Sequence, residues 1–221
     1  MWLVQRKRDR TIVENSLEDR LRRDGRTRWL DVACGVRWDA GFDCLDRFPE
    51  HPRHRRAGQR YVSMDLLTAS DADIRGLGRY DFVRLQHALA CFSWEDGQTL
   101  LRHCARLLEA GGYFVVSVPD LRINIQKYLR DQHRRWKTFA WWAHQRIPKQ
   151  APASFYFSVF AHGVPPEPQQ WCYDIEGLIY ALQRVEAFET IRELRLDDPL
   201  ASTPFTHNRP EEDACVIATR R

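Results

Sequence analysis

Three observations predict an open α/β sheet with helices on both faces. Short apolar runs alternate with amphipathic helical patterns over the first 120 residues. Residues 113–118, Tyr-Phe-Val-Val-Ser-Val, are almost continuously apolar, as suits a parallel strand covered on both sides. The chain has 221 residues, the size of one domain with its own core.

The elements follow in order. Ser16 with Asp19 three positions on is a capping-box pattern. Leu17 and Leu21 give the helix behind it an apolar stripe, and Gly25 is a stop signal. Residues 28–35, Arg-Trp-Leu-Asp-Val-Ala-Cys-Gly, read as a buried strand running into a turn of small residues. Strands are predicted at 41–46, 61–65 and 80–86, with a Pro- and Arg-rich loop at 49–60. Ser93 and Asp96 open the most periodic helix, with Leu100, Leu101, Cys104, Leu107 and Leu108 on one face. Gly111-Gly112 is expected to end it, before a fifth strand at 113–118. A long helix is predicted over 121–145, where basic residues alternate with Trp136, Phe139, Trp141 and Trp142. Five prolines make 148–170 irregular. Asp174 caps a helix carrying Ile175, Leu178, Ile179, Leu182 and Val185, and 190–196 and 213–219 read as the last two strands.

Hydrophobic residues make up 43% and charged residues 29%, an ordinary globular mixture. No apolar run approaches the ~18 residues of a membrane span. Charges near the N-terminus interrupt what a signal peptide would need as an apolar core, so secretion is not expected. The six cysteines form no C-x-x-C pair and are read as reduced thiols of a cytoplasmic protein. Net charge is +4, unevenly spread. Residues 1–28 hold nine Lys/Arg against five Asp/Glu and are read as a basic helical extension to the main domain, 29–221. Within it, 121–170 reads as an insertion; its first thirty residues hold eight Lys/Arg against one acid, Asp131.

Ligands of such sheets bind outside the carboxyl ends of the strands. Asp31, Asp46 and Asp65 lie at those ends. A carboxylate after the second strand can accept both hydroxyls of a ribose, and the Ala33-Cys34-Gly35 turn lets a ligand approach the backbone. There is no G-x-G-x-x-G. No His/Asp/Glu spacing argues strongly for a metal.

Trp29-Leu-Asp-Val-Ala-Cys-Gly35, Gly41-Phe-Asp-Cys-Leu-Asp46, Met64-Asp-Leu66, Tyr80-Asp-Phe-Val83 and Leu107-Leu-Glu-Ala-Gly-Gly-Tyr-Phe-Val-Val-Ser-Val-Pro119 stand in that order. Together they resemble the class I S-adenosylmethionine-dependent methyltransferases, and are most similar to the small bacterial enzymes of surface-polysaccharide and sugar modification. The resemblance covers residues 28–120 by motif and the rest loosely. It implies a Rossmann-like sheet of seven strands, mostly parallel with an antiparallel last strand, and S-adenosylmethionine as cofactor. It places Asp31, Ala33, Cys34 and Gly35 in the cofactor loop, Asp46 at the ribose, Asp65 and Leu66 at the adenine, and Gln86 beside the sulfonium. The acceptor it implies is a sugar hydroxyl, in a sugar, nucleotide-sugar or lipid-linked glycan.

A hydroxyl acceptor calls for a base near the ends of the fourth or fifth strand. His87 is the first candidate, Asp120 the second and His162 the third, with His207 beside them. The basic, aromatic stretch 121–150 has three readings: a solvated helix with core tryptophans, a cover over the acceptor, or a surface docked on an acidic membrane or nucleic acid. A nucleic-acid methyltransferase is disfavoured, because Gln86-His-Ala-Leu89 stands where an Asn-Pro-Pro-aromatic motif would. The family usually has glycine at the position of Ala33 and often Glu-His at Ala90-Cys91. These departures define the rival reading, a catalytically inactive methyltransferase-like binding protein.

Overall fold

The computed structural model describes residues 16–35, 37, 39–50, 59–130 and 169–221. Its helices are α1 (Leu17–Arg23), α2 (Asp71–Leu77), α3 (Trp94–Arg106), α4 (Leu121–Leu129) and α5 (Ile175–Gln183). Its strands are β1 (Trp29–Val32), β2 (Phe42–Asp46), β3 (Tyr61–Ser63), β4 (Tyr80–Gln86), β5 (Leu108–Pro119), β6 (Phe188–Glu193) and β7 (Asp213–Arg220). They form one seven-stranded sheet in the order β3-β2-β1-β4-β5-β7-β6. β7 runs antiparallel to both its neighbours, and the β1–β5 pairs are parallel. The expected mostly parallel sheet with a reversed last strand is therefore the fold.

Two-residue periodicity assigns the strand side chains to two cores. Leu30 and Val32, Val83 and Leu85, and Phe114 and Val116 face the core shared with α2, α3 and α5. Trp29, Phe82 and Val115 face the opposite core, where α1 buries Leu17 and Leu21 completely. Phe205 closes that second core, stacked on Phe82 at 4.6 Å between ring centroids and edge-on to Trp29 at 5.0 Å. Ser16 caps α1 through the Asp19 N–H, and Ser93 caps α3 through the Asp96 N–H, as the sequence pattern predicts.

Several boundaries differ from expectation. Gly111-Gly112 does not end α3; the helix stops at Arg106, and Leu107 and Leu108 turn fully buried into the sheet. The glycines instead form a bulge in β5, between the Tyr80–Leu108 and Phe82–Tyr113 pairs. Gly111 has φ +68°, and a Cβ on Gly112 would lie 2.8 Å from the Glu109 carbonyl oxygen. β3 ends at Ser63, leaving Asp65 in the following turn. α4 stops at Leu129 with Arg130 as its cap, so the helix predicted to 145 is cut short; residues 131–168 lie outside the described set. Helix α2, with a full Ser70–Asp73 capping box, was not predicted.

Candidate active site

A cavity of about 650 Å³ opens at the carboxyl ends of β1, β2 and β4, where the strand order reverses beside β1. Ala33, Cys34, Gly35, Asp46, Asp65, Leu66, Gln86 and His87 all line it. Ala33 turns the chain out of β1 with φ +53°, a left-handed conformation that costs an L-residue about 1–2 kcal/mol. Gly35 follows at φ +59°, and a Cβ there would meet nothing within 4 Å, so the backbone lies open to a ligand. The pKa of the Cys34 thiol is pushed well up by its contact with Cys44, by burial and by nearby carboxylates.

Asp46 ends β2 only 5% exposed. One oxygen accepts the Gly35 N–H at 2.7 Å and the other the Phe48 N–H at 3.1 Å. The carboxylate so joins two loops and keeps lone pairs for further donors. Asp65 accepts the Leu67 N–H at 3.0 Å, which shapes the turn that presents Leu66.

Asp31 does not line the cavity. It is the register partner of Arg84 on β4, and both side chains emerge on the α1 side of the sheet. There Arg84, fully buried, meets Asp31 and Asp39 at 2.5 Å each and lies over the Phe42 ring at 3.9 Å. Burial opposes the Arg84 charge, but the two carboxylates more than offset it and raise its pKa. Arg37 extends the cluster. It pairs with Asp39 at 2.6 Å, donates to the Pro204 carbonyl at 2.7 Å and donates to Gln86 Oε1. Burial first, then the neighbouring Arg84 charge, lowers its pKa. Gln86 Nε2 donates to the Thr206 carbonyl at 2.8 Å, so its amide is held from two sides.

His87 follows β4 with φ +61°, strained for a non-glycine residue and a feature that clusters at functional sites. Its N–H donates to the Ser117 carbonyl at 2.9 Å. Its Nε2 lies 2.9 Å from Oδ2 of Asp213, a fully buried carboxylate at the start of β7. The sequence offered no sign of this partner, 126 positions away. With Nε2–H directed at the carboxylate, Nδ1 keeps the lone pair that can accept a proton.

The other proposed bases stand elsewhere. Asp120 lies outside the cavity and caps α4, accepting the Ile123 N–H at 3.1 Å; burial raises its pKa. His207 is buried against the Leu194 carbonyl at 2.8 Å and Thr206, and burial lowers its pKa. His162 lies outside the described residues, with all of 131–168. At Ala90-Cys91 a 3-10 turn holds Gln170: the Gln170 N–H donates to the Ala90 carbonyl at 2.8 Å and its Nε2 to the Cys91 carbonyl at 2.9 Å. Gln170 and Arg209, neither singled out in the sequence, complete the cavity wall.

No protein-family model and no curated protein matches the chain. Solved structures do. PigF, crystallised with SAH, is 14% identical, with a TM-score of 0.53 over 94% of this chain and 54% of its own. A SAM-dependent methyltransferase from Archaeoglobus fulgidus is 15% identical, with a TM-score of 0.51 over 94% of this chain and 96% of its own. Human N-acetylserotonin methyltransferase, in complex with SAM, is 12% identical, with a TM-score of 0.50 over 88% and 47%. The chain thus spans about half the length of PigF and of the human enzyme. At these identities the likeness is one of architecture: the chain has the seven-stranded fold that S-adenosylmethionine-dependent methyltransferases of class I share.

Proposed function

We propose that the protein transfers a methyl group from S-adenosylmethionine to a hydroxyl oxygen, with a sugar, nucleotide-sugar or lipid-linked glycan as acceptor. The observation that carries the reading is the His87–Asp213 pair at the wall of the switch-point cavity. About 650 Å³ lies within the usual range of small-molecule sites, roughly 300–1,000 Å³. Gly35 leaves the first loop open, and Asp46 offers its remaining lone pairs to the ribose hydroxyls. Leu66 and the Asp65 turn form the wall for the adenine. When bound, S-adenosylmethionine supplies a methyl carbon activated by its sulfonium. His87 Nδ1 then takes the proton of the acceptor hydroxyl, and Asp213 holds the imidazole in the tautomer this needs.

What supports the catalytic reading over the inactive one is that this pair leaves Nδ1 of a cavity-lining imidazole able to accept a proton. The cytoplasmic location is proposed from the sequence reading of the six cysteines as reduced thiols. The sugar class rests on the sequence resemblance and is tested by offering labelled S-adenosylmethionine with free sugars, nucleotide-sugars and lipid-linked glycans. Label transferred to a hydroxyl of one class identifies the acceptor; no transfer to any of them removes the sugar reading.

Asp46→Ala is expected to weaken S-adenosylhomocysteine binding by about 1.5–3 kcal/mol, the range for hydrogen bonds to a charged group. Asp46→Asn keeps one of the two loop contacts, because its amide oxygen can accept the Gly35 N–H while its NH2 cannot accept the Phe48 N–H, so a smaller loss than in Asp46→Ala is expected. Calorimetry giving wild-type affinity for both variants would remove Asp46 from the cofactor site.

A further inference from the structure

Two arginines, Arg47 and Arg209, line the cavity. Asp46 and Asp65 lie at the ends of β2 and β3, together with Arg47, whose guanidinium sits over the Phe48 ring at 4.9 Å, and Asp96 lies in the first turn of α3. Arg209 enters from the opposite side, on the loop before β7, next to the proposed base. Its backbone N–H donates to Asp213 Oδ2 at 3.1 Å, the oxygen that also holds His87 Nε2. One carboxylate oxygen therefore fixes both residues relative to each other.

The guanidinium itself is lightly committed. Its ion pair with Glu212 runs through Nε alone and is long, at 4.0 Å. Among the described residues its terminal nitrogens make no hydrogen bond. A guanidinium facing a cavity loses hydration when a ligand enters, and recovers that loss only if the ligand brings an anion. Its planar fork matches a carboxylate or a phosphate with two parallel hydrogen bonds. Of the two lining arginines, Arg47 stands beside Asp46 on the side assigned to the cofactor, and Arg209 on the side where an acceptor would meet His87.

We propose that Arg209 binds an anionic group of the acceptor, a phosphate or a carboxylate, while the acceptor hydroxyl faces His87. The acceptor assignment rests on the methyltransferase reading above; the anion site itself does not. Inorganic phosphate and acetate are titrated by calorimetry into the wild type, Arg209→Gln and Arg209→Lys. Each titration is run with and without saturating S-adenosylhomocysteine. The wild type is expected to bind one of the two anions saturably. Arg209→Gln should weaken that binding at least tenfold, and Arg209→Lys should retain part of it. All three proteins should bind S-adenosylhomocysteine equally within a few fold. Preference for phosphate marks a phosphoryl-bearing acceptor, and preference for acetate a carboxylate-bearing one. Equal anion binding by the wild type and Arg209→Gln overturns the proposal. So does a tenfold loss of S-adenosylhomocysteine affinity in Arg209→Gln, which would assign the arginine to the cofactor's own carboxylate. Anion binding through Arg209 in a wild type that binds no S-adenosylhomocysteine would support the anion site while removing the methyltransferase reading.

Discussion

Alanine at His87 is expected to slow methyl transfer by about 10²–10⁴-fold, the usual contribution of a positioned general base. The strained φ of +61° turns the chain at the end of β4, and Asp213 fixes the ring through Nε2. Nδ1 is then the ring atom able to receive a proton. Asn is the better control for the backbone, because it enters the left-handed region more readily than Ala. His87→Asn should therefore lose turnover as His87→Ala does, while both keep S-adenosylhomocysteine affinity within a few fold. Asp213→Ala should also lower turnover at unchanged cofactor affinity, since it removes the acceptor that holds Nε2–H and so no longer fixes the ring or its tautomer. Single-turnover rates, measured with the acceptor that the labelling panel identifies, check all three. Wild-type turnover in His87→Asn would show that the acceptor needs no base at this position.

Arg84→Met is expected to be the most damaging single change to stability. It leaves Asp31, 3% exposed, without its cation and Asp39 with Arg37 alone. Removing one partner of a buried ion pair costs about 3–5 kcal/mol. Asp31 and Arg84 face each other across β1 and β4, so the double variant Asp31→Leu with Arg84→Met removes both charges from one site. It should recover much of the loss, because a buried pair replaced by apolar groups is often near neutral. Urea midpoints at constant slope would show this as a deep fall for the single variant and a partial return for the double. Equal destabilisation of both would mean that the network beyond Asp31 dominates.

Much of this architecture was legible in the chain because it is local. The apolar runs locate the strands, and Ser16, Ser93 and Asp174 mark helix starts through bonds to the N–H three residues on. Helix α2 escaped notice because it spans seven residues and buries only Ile74 and Leu77, too few to show a period. Gly111-Gly112 looked like a helix stop, yet Leu107 and Leu108 had already committed the chain to the core. The cavity residues at strand ends were found by position alone. Asp31 was misread because its position one residue before Val32 puts its side chain on the other side of the sheet, and its partner sits 53 residues further on. The positions of Asp213 and Arg209 beside His87 arise from β7 and its preceding loop folding back beside β5, a contact with no local trace.

Titration of S-adenosylhomocysteine into the wild-type protein tests the proposed function most directly. A dissociation constant in the micromolar range, on the order of −8 kcal/mol, is expected. The absence of both a binding heat and a thermal shift at millimolar ligand would contradict it.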